Sequence, residues 1–240
     1  MSANPVVSVI IPVFNGERYI QEAIESVMAQ QVPSLELIVV DDGSTDSSAA
    51  VVERVMPEAR CLCQSHAGPG AARNLGTSVA IGRFLAFLDA DDTWQPDKLS
   101  RQLAAFDADP ALDIVTGLVE QFRSPELEPA VALRLHCPDQ PLPGYVFGAA
   151  LIRREAFDRV GPIATNVTRA EGVDWFARAR GLGLRIHELP EVVLNRRLHT
   201  TNSSLRNRDS AVDFVRVLKA SLDRRRGAAA VFPEHTSEAG

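Results

Sequence analysis

Residues 35–46 read LELIVVDDGSTD, a mostly apolar run that ends at two aspartates and a glycine. The apolar side chains of Leu35–Val40 are typical of a strand buried in a sheet that has helices on both faces. Asp41–Asp46 supply the turn-forming and capping residues that commonly separate a strand from a following helix. The stretch therefore predicts a strand, a turn and a helix, which is the repeating unit of an α/β sheet.

The same alternation extends outward through the first half of the chain. Further strands are predicted at Val6–Val13, Arg60–Cys63 and Phe84–Leu88, and helices at Glu17–Gln30, Asp46–Val55 and Ala71–Ala80. Because strands and helices alternate, the connections are βαβ crossovers. The predicted fold class is α/β, an open, twisted, mostly parallel sheet with helices on both faces. Ligands bind at the carboxyl edge of such a sheet.

The second half of the sequence is less regular. Helices are predicted at Pro96–Asp107, Glu155–Val160 and Glu171–Leu182, and strands at Leu112–Phe122, Leu184–Leu189 and Val192–Arg197. Ser124–Gly144 contains five prolines and is predicted to be an irregular loop. Arg208–Arg226 places apolar residues at helical spacing, which predicts a C-terminal helix before a loose tail.

Charge and composition exclude several classes of protein. The 240 residues include 25 Lys and Arg against 31 Asp and Glu, and 45% are hydrophobic, which is ordinary for a globular chain. The net charge of −6 argues against nucleic acid as a partner. The chain is expected to be cytoplasmic, because it shows neither a basic leader nor the roughly 20 apolar residues of a membrane span.

Basic residues are concentrated near the end of the sequence, where Arg196–Gly240 holds 9 basic and 5 acidic residues. The basic helix over 208–226 is either a solvated surface or a peripheral contact with an anionic membrane face. Both interpretations stay open. The three cysteines cannot form a disulfide framework, and Cys61 and Cys63 are expected to pack in the core.

An acidic cluster at residues 89–92, Asp-Ala-Asp-Asp, is the sharpest chemical signal. Carboxylates at a strand end suit Mg²⁺ or Mn²⁺ that also holds phosphate oxygens. The run also resembles the D-x-D-x-T nucleophile motif of haloacid-dehalogenase phosphatases. That family has its motif near the start of the fold and an acidic pair downstream, and this sequence shows neither feature.

Four motifs in register resemble family 2 nucleotide-sugar glycosyltransferases of the GT-A fold, over roughly residues 6–200. They are Pro12–Asn15 (PVFN), Asp41–Asp46 (DDGSTD), Gly70–Gly76 (GAARNLG) and Phe87–Asp92 (FLDADD). The resemblance implies a nucleotide-sugar donor, UDP-linked by family habit, with a divalent cation. The residues it places around the nucleotide are Pro12, Phe14, Asp41, Asp42 and Arg73. It further implies that Asp89 touches the ribose and that Asp91 holds Mg²⁺ or Mn²⁺ on the diphosphate.

The acceptor side departs from the family pattern. The family carries a Glu-Asp pair that opens a late helix, with the Asp as general base. If Glu171 aligns with that Glu, Gly172 occupies the base position. Glu171 and Asp174 both remain candidates for the base, since each shares a helix face with Arg178. Two alternatives stay open, a purely structural pairing with Arg178 and a non-catalytic nucleotide-sugar-binding protein.

Residues 196–199 (Arg-Arg-Leu-His) stand where many GT-A enzymes close over the diphosphate. The resemblance implies that His199 completes the metal shell and that Arg197 screens the leaving group. The Gln-x-x-Arg-Trp motif of processive synthases is absent from the sequence. We therefore expect an inverting transfer of one sugar to an acceptor hydroxyl. The acceptor and the oligomeric state stay open.

The domain organisation follows from the same reasoning. A single GT-A domain is predicted over residues 1–226, with a nucleotide-sugar half at about 6–110 and an acceptor half at about 111–205. The C-terminal helix occupies 208–226 in this prediction, and residues 227–240 form a flexible tail.

Overall fold

The computed structural model describes residues 5–167, 170–200, 202 and 219. Within these residues the strands are β1 Val7–Val13, β2 Leu35–Asp41, β3 Arg60–Cys63, β4 Phe84–Phe87, β5 Thr93–Trp94, β6 Ile114–Arg123, β7 Leu151–Arg153 and β8 Ile186–Leu198. The helices are α1 Ile20–Met28, α2 Ser48–Val55, α3 Pro69–Val79, α4 Lys98–Ala108, α5 Pro129–Ala132, α6 Arg154–Val160 and α7 Glu171–Gly181. A 3-10 turn covers Phe147–Ala149.

The described strands form one sheet in the order β3-β2-β1-β4-β7-β6-β8-β5. The neighbours β3/β2, β2/β1, β1/β4 and β6/β8 are parallel, whereas β4/β7, β7/β6 and β8/β5 are antiparallel. The predicted class, a mostly parallel α/β sheet, is confirmed. The division into two halves stays a prediction.

Apolar residues fill both faces of the sheet. Along β1, Val7, Val9, Ile11 and Val13 belong to one buried cluster, together with residues of α1 and α4. Ile10 points to the opposite face, where the cluster contains residues of α3, α6 and α7. Because alternate residues of a strand face opposite sides, a wholly apolar strand requires this double covering.

Several elements differ from the sequence expectation. Residues 186–198 form one long strand, although two strands were predicted, because an irregularity in the β6/β8 register at Thr116/Leu118 accommodates the exposed Pro190. The short α5 lies inside the predicted loop 124–144. Cys61 and Cys63 are exposed, so their predicted burial was wrong: β3 lies at one edge of the sheet, and its residues are mostly exposed.

The predicted helix over 208–226 and the tail 227–240 lie outside the described residues, apart from Lys219. Among the described residues, no helix combines the length and the apolar character that a membrane span requires.

Close packing of α3 against the sheet yields a stability prediction. A Cβ added at Gly76 would lie 2.5 Å from Ile10 Cγ2 and 3.2 Å from Val40 Cγ2. Gly76→Ala is expected to lower the free energy of unfolding by about 1–3 kcal/mol, because overpacking a buried contact forces neighbours apart. The measurement is the urea-unfolding midpoint.

Gly181→Ala is the matched control, since nothing lies within 4 Å of a Cβ there. It is expected to stabilise α7 by up to about 1 kcal/mol. A Gly76→Ala protein as stable as wild type would contradict the packing described.

Candidate active site

A cavity of about 1380 Å³ opens at the sheet edge where β1, β2 and β4 end. Eight of the residues predicted to form the site line it, namely Pro12, Phe14, Asp42, Arg73, Asp89, Asp91, Glu171 and His199. Three others, Asp41, Asp174 and Arg197, do not line it. The topology thus gathers residues from both halves of the sequence around one opening.

The two aspartates at the end of β2, Asp41 and Asp42, have different surroundings. Asp41 Oδ1 accepts the Ser44 N–H at 2.9 Å and so closes the turn rather than facing the cavity. Asp42 is 2% exposed and faces inward. Its carboxylate receives two backbone N–H groups, from Ala67 and Gly68, both at 2.8 Å. Asp42 therefore fixes the loop that leads into α3.

Two side chains of the same loop complete the Asp42 environment. Gln64 Nε2 donates to Oδ1 at 2.6 Å, and His66 Nδ1 lies 2.9 Å from Oδ2. The His66 ring stacks on Phe14, with centroids 3.9 Å apart and planes at 25°. Sequence reasoning did not select His66. Its position in a loop at the carboxyl edge was the available signal.

Arg73 joins the two halves of the site. Its Nη1 donates to Glu171 Oε1 at 3.1 Å, and its Nη2 pairs with Asp89 Oδ1. Burial by itself lowers the pKa of Arg73, but the two carboxylates outweigh it and the net shift is upward. The guanidinium also lies over the Phe147 ring, 5.4 Å from its centroid. Arg73 is therefore a fixed positive charge in the cavity wall.

Glu171, the first residue of α7, is held by that charge only through Oε1. Its Oε2 is buried and has no hydrogen-bond partner within the described residues. Burial raises the pKa of Glu171, although the nearby Arg73 opposes the shift. A carboxylate with one uncommitted oxygen and a raised pKa is suited to accept a proton.

Asp174 does not line the cavity, although it lies close to Glu171 on α7. Three residues advance a helix by about 300°, so Asp174 sits about 60° around α7 from Glu171. It pairs with Arg178 at 2.8 Å. Arg178 in turn donates to the carbonyls of Val160 and Pro162 at 2.6 and 2.8 Å. Asp174 therefore helps to fasten α7 to the segment after α6.

The acidic cluster after β4 meets the end of β8. His199 Nε2 lies 2.8 Å from Asp91 Oδ2, and Asn202 Nδ2 donates to the same oxygen at 3.1 Å. The neighbouring Asp92 is 5% exposed. Its pKa is raised by burial and then by the negative charges of Asp91 and Asp89. The cluster thus concentrates negative charge that a cation would offset.

The donor set fits a divalent cation that shares its coordination with a ligand. Among the described residues, no three His, Cys, Asp or Glu side chains could hold a metal by themselves. Asp91 Oδ2 and His199 Nε2 lie 2.8 Å apart at the cavity, so both atoms could coordinate one cation in place of the hydrogen bond between them. Mg²⁺ and Mn²⁺ sites of this kind are commonly completed by phosphate oxygens and water.

Arg197 does not reach the cavity, and the assignment of this residue to the substrate needs correction. It is 4% exposed, pairs with Glu22 and lies between the rings of Tyr19 and Phe122, at 4.9 and 4.8 Å. Arg196 lines the cavity instead. Successive residues of β8 face opposite sides, so only one of the two arginines can face the ligand.

Buried polar side chains hold the segment that forms the floor of the cavity. Trp94 Nε1 donates to the Gly148 carbonyl and Gln102 Nε2 to the Ala149 carbonyl, both at 2.8 Å. Lys98, which is fully buried, lies 4.2 Å from the Trp94 ring centroid and bonds Gln102. Burial places the pKa of Lys98 well below its usual value. These contacts fix the segment that carries Phe147.

Part of the remaining wall of the cavity is apolar. Leu142, Val146 and Val173 line it and are 39%, 41% and 41% exposed. Gly172 lies beside Glu171, and a Cβ there would meet the Phe147 ring at 3.7 Å, an ordinary contact distance. The structure therefore has room for a side chain at position 172.

Comparison with protein families gives one match over most of the chain. A family described as glycosyl transferase family 2 matches residues 8–161. An uncharacterised glycosyltransferase of Nostoc is 40% identical over 121 residues, which is 46% of this chain and 38% of that protein. The succinoglycan biosynthesis protein ExoO of Rhizobium meliloti is 35% identical over 162 residues, 63% of this chain and 44% of that protein. The chain thus matches less than half the length of these relatives.

Solved structures share the fold at low sequence identity. S. aureus TarS 1–349 in complex with UDP-GlcNAc superposes with a TM-score of 0.71 at 22% identity, covering 91% of this chain and 66% of that one. The mannosyltransferase PcManGT of Pyrobaculum calidifontis, in complex with GDP-Man and Mn²⁺, gives 0.61 at 20% identity, covering 96% and 77%.

The Arg73–Glu171 pair yields a stability prediction. Arg73→Met leaves the carboxylate of Glu171, whose side chain is 12% exposed, without its cation. We expect a loss of about 3–5 kcal/mol in unfolding free energy, because a buried charge without a partner is costly. The double variant Arg73→Met/Glu171→Leu is expected to recover part of that loss.

Urea unfolding of the full double-mutant cycle measures this coupling. The control is Arg159→Met, which breaks a pair to Asp113 whose arginine side chain is 54% exposed. It should change stability by less than about 1 kcal/mol. Additive effects of the Arg73 and Glu171 substitutions would contradict the role assigned to the pair.

Proposed function

This chain belongs to glycosyl transferase family 2 and has the GT-A fold, and on that premise we propose that it transfers one sugar from a UDP-linked donor to an acceptor hydroxyl, with inversion at the anomeric carbon. The observation that carries the proposal is the convergence in one cavity of an exposed aromatic ring, Phe14, with Arg73, Asp91 and Glu171. These side chains supply what a nucleotide, a diphosphate and a reacting hydroxyl require.

The donor occupies the end of the cavity built by β1, β2 and β4. Phe14, 46% exposed, offers a face for the nucleobase, and Pro12 and Asp42 shape the surrounding wall. Asp89, whose side chain is 49% exposed, accepts a hydrogen bond from the ribose. The solved complexes of TarS with UDP and UDP-GlcNAc support a uridine donor.

Asp91 and His199 are the residues that would hold Mg²⁺ or Mn²⁺. An imidazole nitrogen in the set favours Mn²⁺ over the harder Mg²⁺. The cation, when bound, neutralises charge that develops on the departing diphosphate. Arg196, which lines the cavity near this point, adds a second positive charge toward the same group. PcManGT solved with GDP-Man and Mn²⁺ supports the choice of metal.

Glu171 is the proposed base. The acceptor oxygen attacks the anomeric carbon from the side opposite the diphosphate, and its proton passes to the Glu171 carboxylate. The bond from the anomeric carbon to the phosphate oxygen breaks, and its electron pair leaves with the nucleoside diphosphate. Asp174 is a weaker candidate, because it lies outside the cavity and pairs with Arg178.

A second candidate function is nucleotide-sugar binding without transfer. The observation in its favour is Gly172, which occupies the position of the family's catalytic Asp if Glu171 aligns with the family Glu. In that case Glu171 serves only to balance Arg73. Both candidate functions predict that the nucleotide sugar binds, and they differ in whether the sugar is transferred.

Binding of the donor tests the metal assignment. Mn²⁺ is expected to tighten UDP binding in calorimetric titration, and Asp91→Asn to weaken the Mn²⁺-dependent part by about 10–100-fold, since it removes an anionic ligand. Asp107→Asn, on the exposed face of α4, is the control and should bind as wild type does. Equal UDP affinity with and without Mn²⁺ in wild type would remove the metal from the proposal.

Release of UDP from a panel of UDP-sugars separates the two functions. Glu171→Gln is expected to lower turnover by about 10²–10⁴-fold, the usual contribution of a general base. Asp174→Asn should stay within about threefold of wild type. Because the pKa of Glu171 is raised, wild-type turnover should increase with pH across a range above that of an ordinary glutamate.

Gly172→Asp provides the reverse test, since position 172 has room for a side chain. If wild type binds UDP but releases none from any donor, and Gly172→Asp gains turnover, the non-catalytic function is the correct one. Turnover by wild type that Glu171→Gln abolishes supports the transferase.

A further inference from the structure

We propose that Asn202 is a positioning residue for the cation site, and that its side-chain amide holds the Asp91 carboxylate and the His199 imidazole where both can reach one metal ion. The inference rests on the proposed function and deepens it by naming a residue that acts through the two proposed ligands without coordinating the metal. Its basis is the hydrogen bonding of one buried amide, which joins the segment after β8 to the acidic cluster after β4.

Both N–H groups and the oxygen of the Asn202 amide have partners. Nδ2 donates to Asp91 Oδ2 and to the Arg197 carbonyl oxygen, each at 3.1 Å. Oδ1 accepts the backbone N–H of His199. Asn202 is only 7% exposed, so water has little access to these hydrogen bonds. One side chain is therefore bonded to both residues of the proposed metal pair.

The partners also fix the orientation of the amide. The Asp91 carboxylate and the Arg197 carbonyl can only accept, whereas the His199 backbone N–H can only donate. An amide rotated by 180° would place its oxygen against two acceptors and its NH₂ group against a donor. A carboxylate or an apolar side chain at position 202 would lack both donors. The hydrogen bonding at this position is therefore specific to an amide.

The hydrogen bond from Asn202 is compatible with a bound cation. Asp91 Oδ2 has two lone pairs, so it can coordinate a metal through one while it accepts the Asn202 N–H on the other. The same amide limits rotation of the carboxylate and holds the backbone that carries the His199 ring. Hydrogen bonds that orient metal ligands in this way typically contribute about 10–100-fold in metal affinity.

Arg197 holds the backbone to which Asn202 is bonded. The Arg197 N–H donates to Asp92 Oδ1 at 2.9 Å, and its Nε donates to the Asp91 carbonyl oxygen at 3.0 Å. The Asn202 backbone N–H donates to the His199 carbonyl oxygen at 3.1 Å, which closes a short turn after β8. The end of β8 is thus fixed against the acidic cluster, although the Arg197 side chain does not reach the cavity.

The test is calorimetric titration of UDP with and without Mn²⁺, which gives the gain in UDP affinity that depends on Mn²⁺. Asn202→Leu removes both donors at a similar side-chain size and is expected to lower that gain by about 10-fold or more. Without Mn²⁺, UDP affinity should stay within about threefold of wild type, since the proposed role acts only through the metal ligands. That second value also shows that the variant is folded.

Asn195→Leu is the matched control. Asn195 is half-buried on β8, and its Oδ1 accepts from Gln95 Nε2 at 3.0 Å, so the substitution removes a hydrogen bond away from the proposed ligands. It should keep the wild-type gain from Mn²⁺. Asn202→Ser is a milder second variant that supplies one donor instead of two, and it should also lower the gain.

A wild-type gain from Mn²⁺ in both Asn202 variants would overturn the inference, and so would an equal loss in Asn195→Leu. An altered UDP affinity without Mn²⁺ would overturn it as well, because Asn202 would then act on the nucleotide directly. In these cases wild type still binds UDP with Mn²⁺, so the proposed function stands. Wild type that binds UDP equally with and without Mn²⁺ would overturn the metal assignment and this inference. Failure of UDP to bind wild type would overturn the proposed function as a whole.

Discussion

The guanidinium of Arg73 is buried in the wall of the cavity, and a buried positive charge needs carboxylates as partners. The relative positions of several elements depend on how Arg73 is paired. Its partners are Asp89 at the end of β4 and Glu171 at the start of α7, the latter 98 residues away in sequence. The three side chains therefore pin α3, the sheet edge and α7 to one point. Glu171, the proposed base, therefore owes its position to the charge of Arg73.

The end of the cavity proposed for the nucleotide is held by a second set of contacts, between the turns that follow β1 and β2. The Asn15 N–H donates to Ser44 Oγ at 2.9 Å, and the Thr45 N–H donates to Asn15 Oδ1 at 2.8 Å. Asn15 adopts a positive φ of 51°, which asparagine tolerates better than most residues. The loops at this end are thus fixed before any ligand arrives, which lowers the entropy lost on binding.

Much of the first half was predictable because its signals are local. Continuous apolar runs identified the strands, and acidic turns at their ends identified the cavity edge. The sequence did not predict in the same way which of two nearby residues lines the cavity. Arg196 and Arg197 differ only in which face of β8 they occupy, and that depends on a register shift against β6. Glu171 and Asp174 share one helix, and only packing against Arg73 and Arg178 separates them.

The wrong prediction for the cysteines and the omission of His66 have similar causes. Cys61 and Cys63 occupy an apolar run, but the strand order places them at the edge of the sheet. His66 belongs to no spacing motif, and its significance comes from a contact with Phe14, 52 residues earlier by residue number. Periodicity cannot report where a strand lies in a sheet, nor which loops meet.

The order of the site along the chain has a consequence for synthesis on the ribosome. Residues that shape the nucleotide end, from Pro12 to Asp92, all emerge early, and their strands pair with one another. Asp91 meets His199 across 108 residues. During translation the loops after β1, β2 and β4 can therefore form while Arg73 still lacks one of its two carboxylates. The surface proposed for the nucleobase is complete before the proposed base, Glu171, and the proposed metal ligand, His199, have joined it.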